Sequence, residues 1–330
     1  MLSISKTRVL EIFNSSKNKK IAVIGDVMLD RYFWGKVSRV SPEAPVPVID
    51  VERESFHLGG AANVANNLHS LGVEPILCGI VGDDNTGNIF KSIAQSQGIN
   101  INGIFVDKTR PTTVKTRIIG NNQQIARLDR EVRHLVGEKV EDFMMSNLKN
   151  LDNLSGIIFE DYNKGTISES LIERIIEYSK EMDIPIFVDP KFDNFFNFKN
   201  VFLFKPNRKE AQNALGIGID TKDDVIEAGI RLLEKIKSKN VLLTLGSQGM
   251  MLFENDGNIS SVPTIARQVA DVSGAGDTAI ASLSVSISGG ATIKEAAAIS
   301  NYASGAVCEL PGIVSITKEM ILRTIDNNNI

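Results

Sequence analysis

Cysteine is nearly absent from this 330-residue chain: Cys78 and Cys308 are the only two, each within an apolar stretch. Two such residues build neither a disulfide framework nor a zinc cluster, and they suit a reducing compartment. Histidine is equally scarce, with His57, His69 and His134 alone, so chemistry built on imidazole is not expected. No uninterrupted apolar run approaches the ~18–20 residues of a membrane span. The N-terminal stretch MLSISKTRVLEIFNSSKNKK scatters charge where a secretory signal needs an apolar run and a small-residue cleavage site. A cytoplasmic protein with no membrane contact is therefore expected. An excess of either charge is lacking too: 36 Lys and Arg against 40 Asp and Glu leave −4 with no long block of one sign. Neither a nucleic-acid footprint nor an acidic tail follows from that balance. No G-x-x-x-x-G-K-[ST] occurs, which argues against a P-loop enzyme.

What is present is 42% hydrophobic residues, enough for a sizeable core, in extended apolar runs that alternate with helical patterns. That alternation marks parallel strands joined by helical crossovers. Strands are predicted at 21–26, 75–82, 156–161, 185–190, 201–207 and 241–246, and helices at 60–72, 86–98, 164–182, 222–239 and 275–288. Several strands end in Asp, Asn or Gly, and in open α/β sheets ligands bind outside the carboxyl ends of the strands. Two stretches break the rhythm. Residues 111–131 alternate around Asn121-Asn122 and read as a hairpin, whereas 31–52 carry Pro42, Pro45 and Pro47, which confine them to loop or edge roles. Both are read as a small β-layer inserted in a single α/β domain and covering its site.

The strongest local signal is DVSGAGDTAIASL at 271–283. Gly274 and Gly276 permit a turn whose amides, with Ala275 and the N-terminus of the helix that follows, form an anion pocket. Asp277, in the same first turn, would repel a phosphate directly beside it, so it must face something else. A hydroxyl group fits: Asp277 could accept its proton as the oxygen attacks a phosphoryl group held by the glycine amides. Helix capping is the plainer alternative for an isolated aspartate. The stretch also satisfies G-x-G-x-x-A, but it lies too late in the chain for a dinucleotide site.

Near the other end, Asp26 closes the first strand and Asp30 follows, both suited to accept from polyol hydroxyls. Gly59-Gly60 leads into a helix bearing Asn63, which can donate and accept. Asn207 and Glu210 share one helical face and could hold the waters of a Mg²⁺ ion, or merely cap the helix. Thr244, Gly246, Ser247 and Gly249 follow a further strand and could approach nucleotide phosphates or ribose, or form an ordinary turn.

DVSGAGD, GGAAN and N-x-x-E, in this order, resemble the PfkB/ribokinase family of carbohydrate kinases. GDVMLDRYFWGKVSRVSPEAPVPVIDV (25–51), LGGAANVANNLHSLG (58–72) and NNQQIARLD (121–129) are most similar to its branch acting on D-glycero-β-D-manno-heptose 7-phosphate. The likeness spans residues 20 to 316. It implies a ribokinase-like α/β fold: a central, mostly parallel sheet flanked by helices, with a β-lid through which a homodimer forms. It also implies ATP- and Mg²⁺-dependent phosphorylation of the heptose 1-hydroxyl, on the way to ADP-heptose and the lipopolysaccharide core. By motif position Asp277 becomes the base and Gly274, Ala275 and Gly276 the anion hole. Asp30, Gly59, Gly60 and Asn63 become sugar contacts, Asn207 and Glu210 the Mg²⁺/phosphate pair, and Thr244, Ser247, Gly246 and Gly249 nucleotide contacts. Asn301 becomes an adenine-side contact.

A dianionic sugar phosphate needs cations, and the candidates are Arg31, Arg39, Lys115, Arg117, Lys164 and Lys191. Lys115 and Arg117 share a face if 111–131 is a hairpin. Two departures stand out: Ser273 where Thr is commoner, and Glu160 where the branch has a small polar residue. Bifunctional members carry a nucleotidyltransferase with an H-x-G-H motif. None occurs in this sequence, so a kinase served by a separate adenylyltransferase is expected. A monovalent cation near Asp271 and Ser273 stays open, as do a kinase of another sugar or nucleoside and a non-catalytic sensing module.

Overall fold

The computed structural model describes residues 4–265 and 270–328. In chain order the elements begin with α1 (Lys6–Ser16), β1 (Lys20–Gly25), β2 (Val27–Val40), β3 (Pro47–Gly60), α2 (Ala61–Ser70), β4 (Glu74–Gly82), α3 (Asn85–Ser96) and β5 (Asn100–Asp107). β6 (Val114–Gly120), β7 (Gln123–Arg130), α4 (Glu138–Lys149), β8 (Leu154–Glu160), α5 (Glu169–Glu181), β9 (Ile186–Asp189) and β10 (Leu203–Phe204) follow. The last are α6 (Arg208–Leu215), α7 (Lys222–Ile236), β11 (Asn240–Thr244), β12 (Met250–Glu254), β13 (Ile259–Val262), α8 (Ala275–Ser288), α9 (Ile293–Cys308) and α10 (Lys318–Asn328).

Nine strands form the central sheet in the order β13-β12-β11-β10-β9-β8-β1-β4-β5. All pairs are parallel except β11–β12 and β12–β13. Strand residues alternate between the two faces. Val23 and Leu77 pack with Phe13, Leu68, Ile280 and Ile299 of the helices on one side. Ile24 and Cys78 pack with Met144, Ile172 and Leu232 on the other. Covering both faces explains why these strands read as continuous apolar runs.

A separate four-stranded sheet, β3-β2-β6-β7, grows from the end of β1. Asn121 and Asn122, at φ 51° and 63°, supply the left-handed turn that joins β6 to β7, the twist a two-residue hairpin favours. Pro42 and Pro45 lie between β2 and β3, and Pro47 opens β3 on the sheet's edge, where its missing N–H costs least. The inner ends of these strands are buried, whereas β7 is exposed throughout.

The helix expected at 164–182 starts only at Glu169, behind the Ser168 cap. The preceding residues are drawn into a loop because the Asp26 carboxylate accepts from the amides of Tyr162, Lys164 and Thr166.

Packing of α7 on the sheet yields a test. Phe253 of β12 is fully buried, and a methyl group at Gly229 would overlap its ring. Gly229→Ala is expected to lower unfolding free energy by about 1–3 kcal/mol in urea titration, against little change for Ile230→Ala at an exposed position of the same helix.

Candidate active site

The carboxyl ends of the parallel strands bring one polar residue after another to the same rim: Asp26 after β1, Glu160 on β8, Asp189 on β9 and Lys205 after β10. Lys205 donates to Asp189 at 2.7 Å, and both are buried. Asp161 accepts from the amide of Asn163 at 2.8 Å and from Asn194 at 3.1 Å. Burial and the neighbouring Asp26 nevertheless push its carboxyl up to about 6.

Over this rim α8 begins. Gly274 precedes it at φ 79°, a conformation that disfavours side chains. The N–H groups of Gly276 and Asp277 have no backbone acceptor among the described residues, and that of Ala275 makes a 3.3 Å turn contact to Val272. Open amides at a helix start form an anion site. Asp277, 6% exposed, points away from them: its carboxylate accepts from Asn63 at 2.7 Å and from the Tyr162 hydroxyl at 3.0 Å. Burial raises its pKa above the ordinary aspartate value; the Asn63 and Tyr162 hydrogen bonds and Lys205 oppose that rise, and Asp189 adds to it. The Tyr162 phenol is held protonated by its own burial and by the charge of Asp277.

Asn63 lies in the first turn of α2, whose start is set by Gly60 at φ 58°. A side chain at Gly59 would strike Asp30, and one at Gly60 the backbone of Asp26. Asp30 is ion-paired with Arg117 across the β2–β6 ladder. Lys115 and Arg117 do face the same side. The Lys115 ammonium lies 5.0 Å from the centre of the Tyr162 ring and Arg117 5.2 Å from that of Tyr32. Burial lowers the Lys115 pKa, with Lys164 and Arg117 adding to the effect and Asp30 opposing it. Lys191 lies 5.1 Å from the Tyr162 ring and pairs with Glu210. Burial works against its charge, but Asp189 and Glu210 outweigh that and raise its pKa. Lys164 is drawn inward as well, its side chain 12% exposed, whereas Arg31 and Arg39 stay further out. Lys164 pairs with Glu131 at 2.7 Å, Arg31 with Glu54 at 2.6 Å, and Arg39 is exposed on the outer half of β2.

Asn207 and Glu210 form a reciprocal capping box at the start of α6, with contacts of 2.9 and 2.8 Å. Thr244 ends β11 and bridges to Asn207. Gly246 and Gly249 bound a short 3₁₀ turn at φ 61° and 85°, with Ser247 exposed between them. Asn301 of α9 donates to the Pro263 carbonyl at 2.8 Å. Asp271 accepts from the amides of Ser273 and Gly312 at 2.9 and 3.2 Å.

Motif reading passed over Tyr162, Asp189 and Lys205 as site residues, although Tyr162 links Asp277 to two lysines and the other two form a buried ion pair. The signal was available for Asp189, an acid closing an apolar strand.

A model of the "pfkB family carbohydrate kinase" matches residues 18–319. Among curated proteins, "Bifunctional protein HldE" of Geobacter sulfurreducens is 39% identical over 304 residues, 92% of this chain and 62% of the relative. The protein of that name from Helicobacter pylori is 44% identical over 293 residues, 88% of this chain and 63% of the relative. The chain thus spans about three fifths of the length of these relatives. Among solved structures, Escherichia coli phosphofructokinase-2 in complex with potassium superposes with a TM-score of 0.77 at 17% identity, covering 95% of this chain and all of that one. Arabidopsis thaliana ribokinase complexed with ribose and ATP gives 0.73 at 19%, covering 93% and 99%. These neighbours establish a ribokinase-like fold.

Because a donor to a carboxylate favours its charged form, Tyr162→Phe is expected to raise the Asp277 pKa further. Carbon-13 NMR titration of labelled aspartate carboxyls checks this, and an unmoved Asp277 resonance would contradict it.

Proposed function

This chain belongs to the pfkB family of carbohydrate kinases, and from that premise we propose that it transfers the γ-phosphoryl group of ATP to the 1-hydroxyl of D-glycero-β-D-manno-heptose 7-phosphate. The product is the 1,7-bisphosphate, for ADP-heptose and lipopolysaccharide core synthesis. The observation that carries the reaction type is Asp277, buried at the start of α8 and turned away from that helix's open amides. The segments SPEAPVP and LGGAAN, with the cations of β6, support the choice of sugar.

In this reading the acceptor sugar lies between Asp30, Asn63 and Gly59-Gly60, with its reacting hydroxyl on Asp277. The carboxylate takes the hydroxyl proton as the oxygen–phosphorus bond forms, and the bond from the γ-phosphorus to the bridging oxygen breaks to release ADP. The amides at Gly274, Ala275 and Gly276 hold the transferring oxygens, so the protein supplies position and electrostatics. Thr244, Gly246, Ser247 and Gly249 flank the nucleotide, and Asn301 stands on its adenine side. Both oxygens of Glu210 already accept bonds, one from the Asn207 amide and one from Lys191. Asn207 and Glu210 therefore suit a hydrated Mg²⁺ held through water. Such an ion would neutralise phosphate charge.

Lys115 is the best placed cation for the sugar's phosphate. It is half-buried near Tyr162, and no salt bridge to a carboxylate occupies it among the described residues. Arg117 is the second, once Asp30 turns to a sugar hydroxyl. The β2-β3-β6-β7 sheet acts as a lid that excludes water. Its exposed Val51, Ile125 and Leu128 suit a homodimer contact. No described helix is long and apolar enough to cross a membrane, and a cytoplasmic location is part of the proposal. So are a separate adenylyltransferase downstream and a monovalent cation by Asp271.

A phosphate-transfer screen over sugars and sugar phosphates, with the product position assigned by NMR, tests the reading; transfer to a nucleoside or an unphosphorylated sugar in preference to the heptose phosphate would refute it. Asp277→Asn is expected to keep ATP binding and lose turnover by ~10²–10⁴-fold. Lys115→Ala should raise KM for the sugar phosphate while KM for ATP stays near wild type, and an unchanged sugar-phosphate KM would count against its role.

A further inference from the structure

Glu160 ends β8 at the centre of the sheet, in register with Gly25 on one side and Asp189 on the other. It is 0% exposed, and neither of its side-chain oxygens has a hydrogen-bond partner. One oxygen each of Glu160, Asp189 and Asp277 lie within 4.8 Å of one another. The other two acids are provided for. Asp189 receives Lys205 at 2.7 Å, so an ammonium already fills the place of a cation, and Asp277 receives Asn63 and Tyr162.

A buried carboxylate without a donor is among the costliest arrangements a protein can hold. A proton removes the charge and turns one oxygen into a donor that faces acceptors on two sides. The surrounding charges agree. From β9 and the loop after it come Asp189 and Lys191, from the end of β10 Lys205, from α8 Asp277, and from the loop after β8 the neutral Tyr162. Asp26, at the end of β1, is committed to three amides. Lys205 is paired with Asp189 and Lys191 with Glu210, which leaves no cation in direct contact with the Glu160 oxygens.

We infer that Glu160 carries the proton of this three-acid cluster, a neutral positioning partner that leaves Asp277 as the one uncompensated negative charge beside the transferring phosphate. The inference rests on the reading of Asp277 as the base. Burial, then Asp189 and Asp277, push the Glu160 carboxyl well above the ordinary range, with Lys205 and Lys191 opposing. When Glu160 does ionise, a second negative charge stands where ATP must bring its own.

Infrared difference spectroscopy at neutral pH is the direct test. The wild-type protein should show the carbonyl stretch of a protonated carboxylic acid, and Glu160→Gln and Glu160→Ser should both lose it. Absence from wild type, or persistence in both variants, overturns the inference. A kinetic arm follows KM for ATP into the alkaline range. In wild type it should rise by about tenfold per pH unit once Glu160 ionises, whereas in Glu160→Gln that rise should vanish; equal rises in the two proteins would count against Glu160. Turnover of Asp277→Asn separates the two readings. If that variant works normally the base assignment fails, and if it is inactive while the infrared band is missing only the role of Glu160 fails.

Discussion

Asp277 accepts from Asn63 and Tyr162, and these two contacts join three parts of the chain that are distant in sequence. Asn63 comes from α2 and brings Gly59-Gly60 and Asp30 with it. Tyr162 comes from the loop that Asp26 gathers by its amides, and its ring lies near Lys115 on the second sheet and Lys191 beyond β9. In the proposed reading the sugar side, the phosphate side and the base are thereby built around one carboxylate. Its burial has a cost, which the two donors and the Lys205 ammonium beneath it offset while Asp189 adds to it.

Charge pairing organises the rest of the rim. Arg117 is held by Asp30, Lys191 by Glu210, Lys164 by Glu131 and Lys205 by Asp189. Each cation is thus fixed in place before any ligand arrives, which reduces what binding must order. Lys115 differs, since an aromatic ring accompanies it in place of a carboxylate. In the proposed reaction the acceptor's own phosphate supplies the missing anion, and closure of the second sheet brings the two together.

Much of this was legible in the sequence because the core strands are apolar on both faces and end abruptly in acids. The GAG turn into α8, the Gly59-Gly60 turn into α2 and the Asn121-Asn122 hairpin each rest on local backbone chemistry, and local chemistry is what a sequence displays. The late start of α5 was not legible. It follows from Asp26 capturing amides some 136 to 140 positions away, a long-range contact that no periodicity records. Tyr162 was missed for the same reason, since its hydroxyl meets Asp277 only in the folded chain. For Asn207 and Glu210, spacing suggested both a metal pair and a cap, and the capping box is present, which leaves a metal only a water-mediated place.

The central claim is that the opening turn of α8 holds the transferring phosphate while Asp277 faces the acceptor hydroxyl. A crystal structure with a non-hydrolysable ATP analogue and the heptose 7-phosphate tests it most directly. The account requires the terminal phosphate against the amides of Gly274 to Gly276 and the sugar's 1-hydroxyl within hydrogen-bonding reach of Asp277. A terminal phosphate seated elsewhere, or a sugar whose nearest hydroxyl lies beyond that carboxylate's reach, would contradict it.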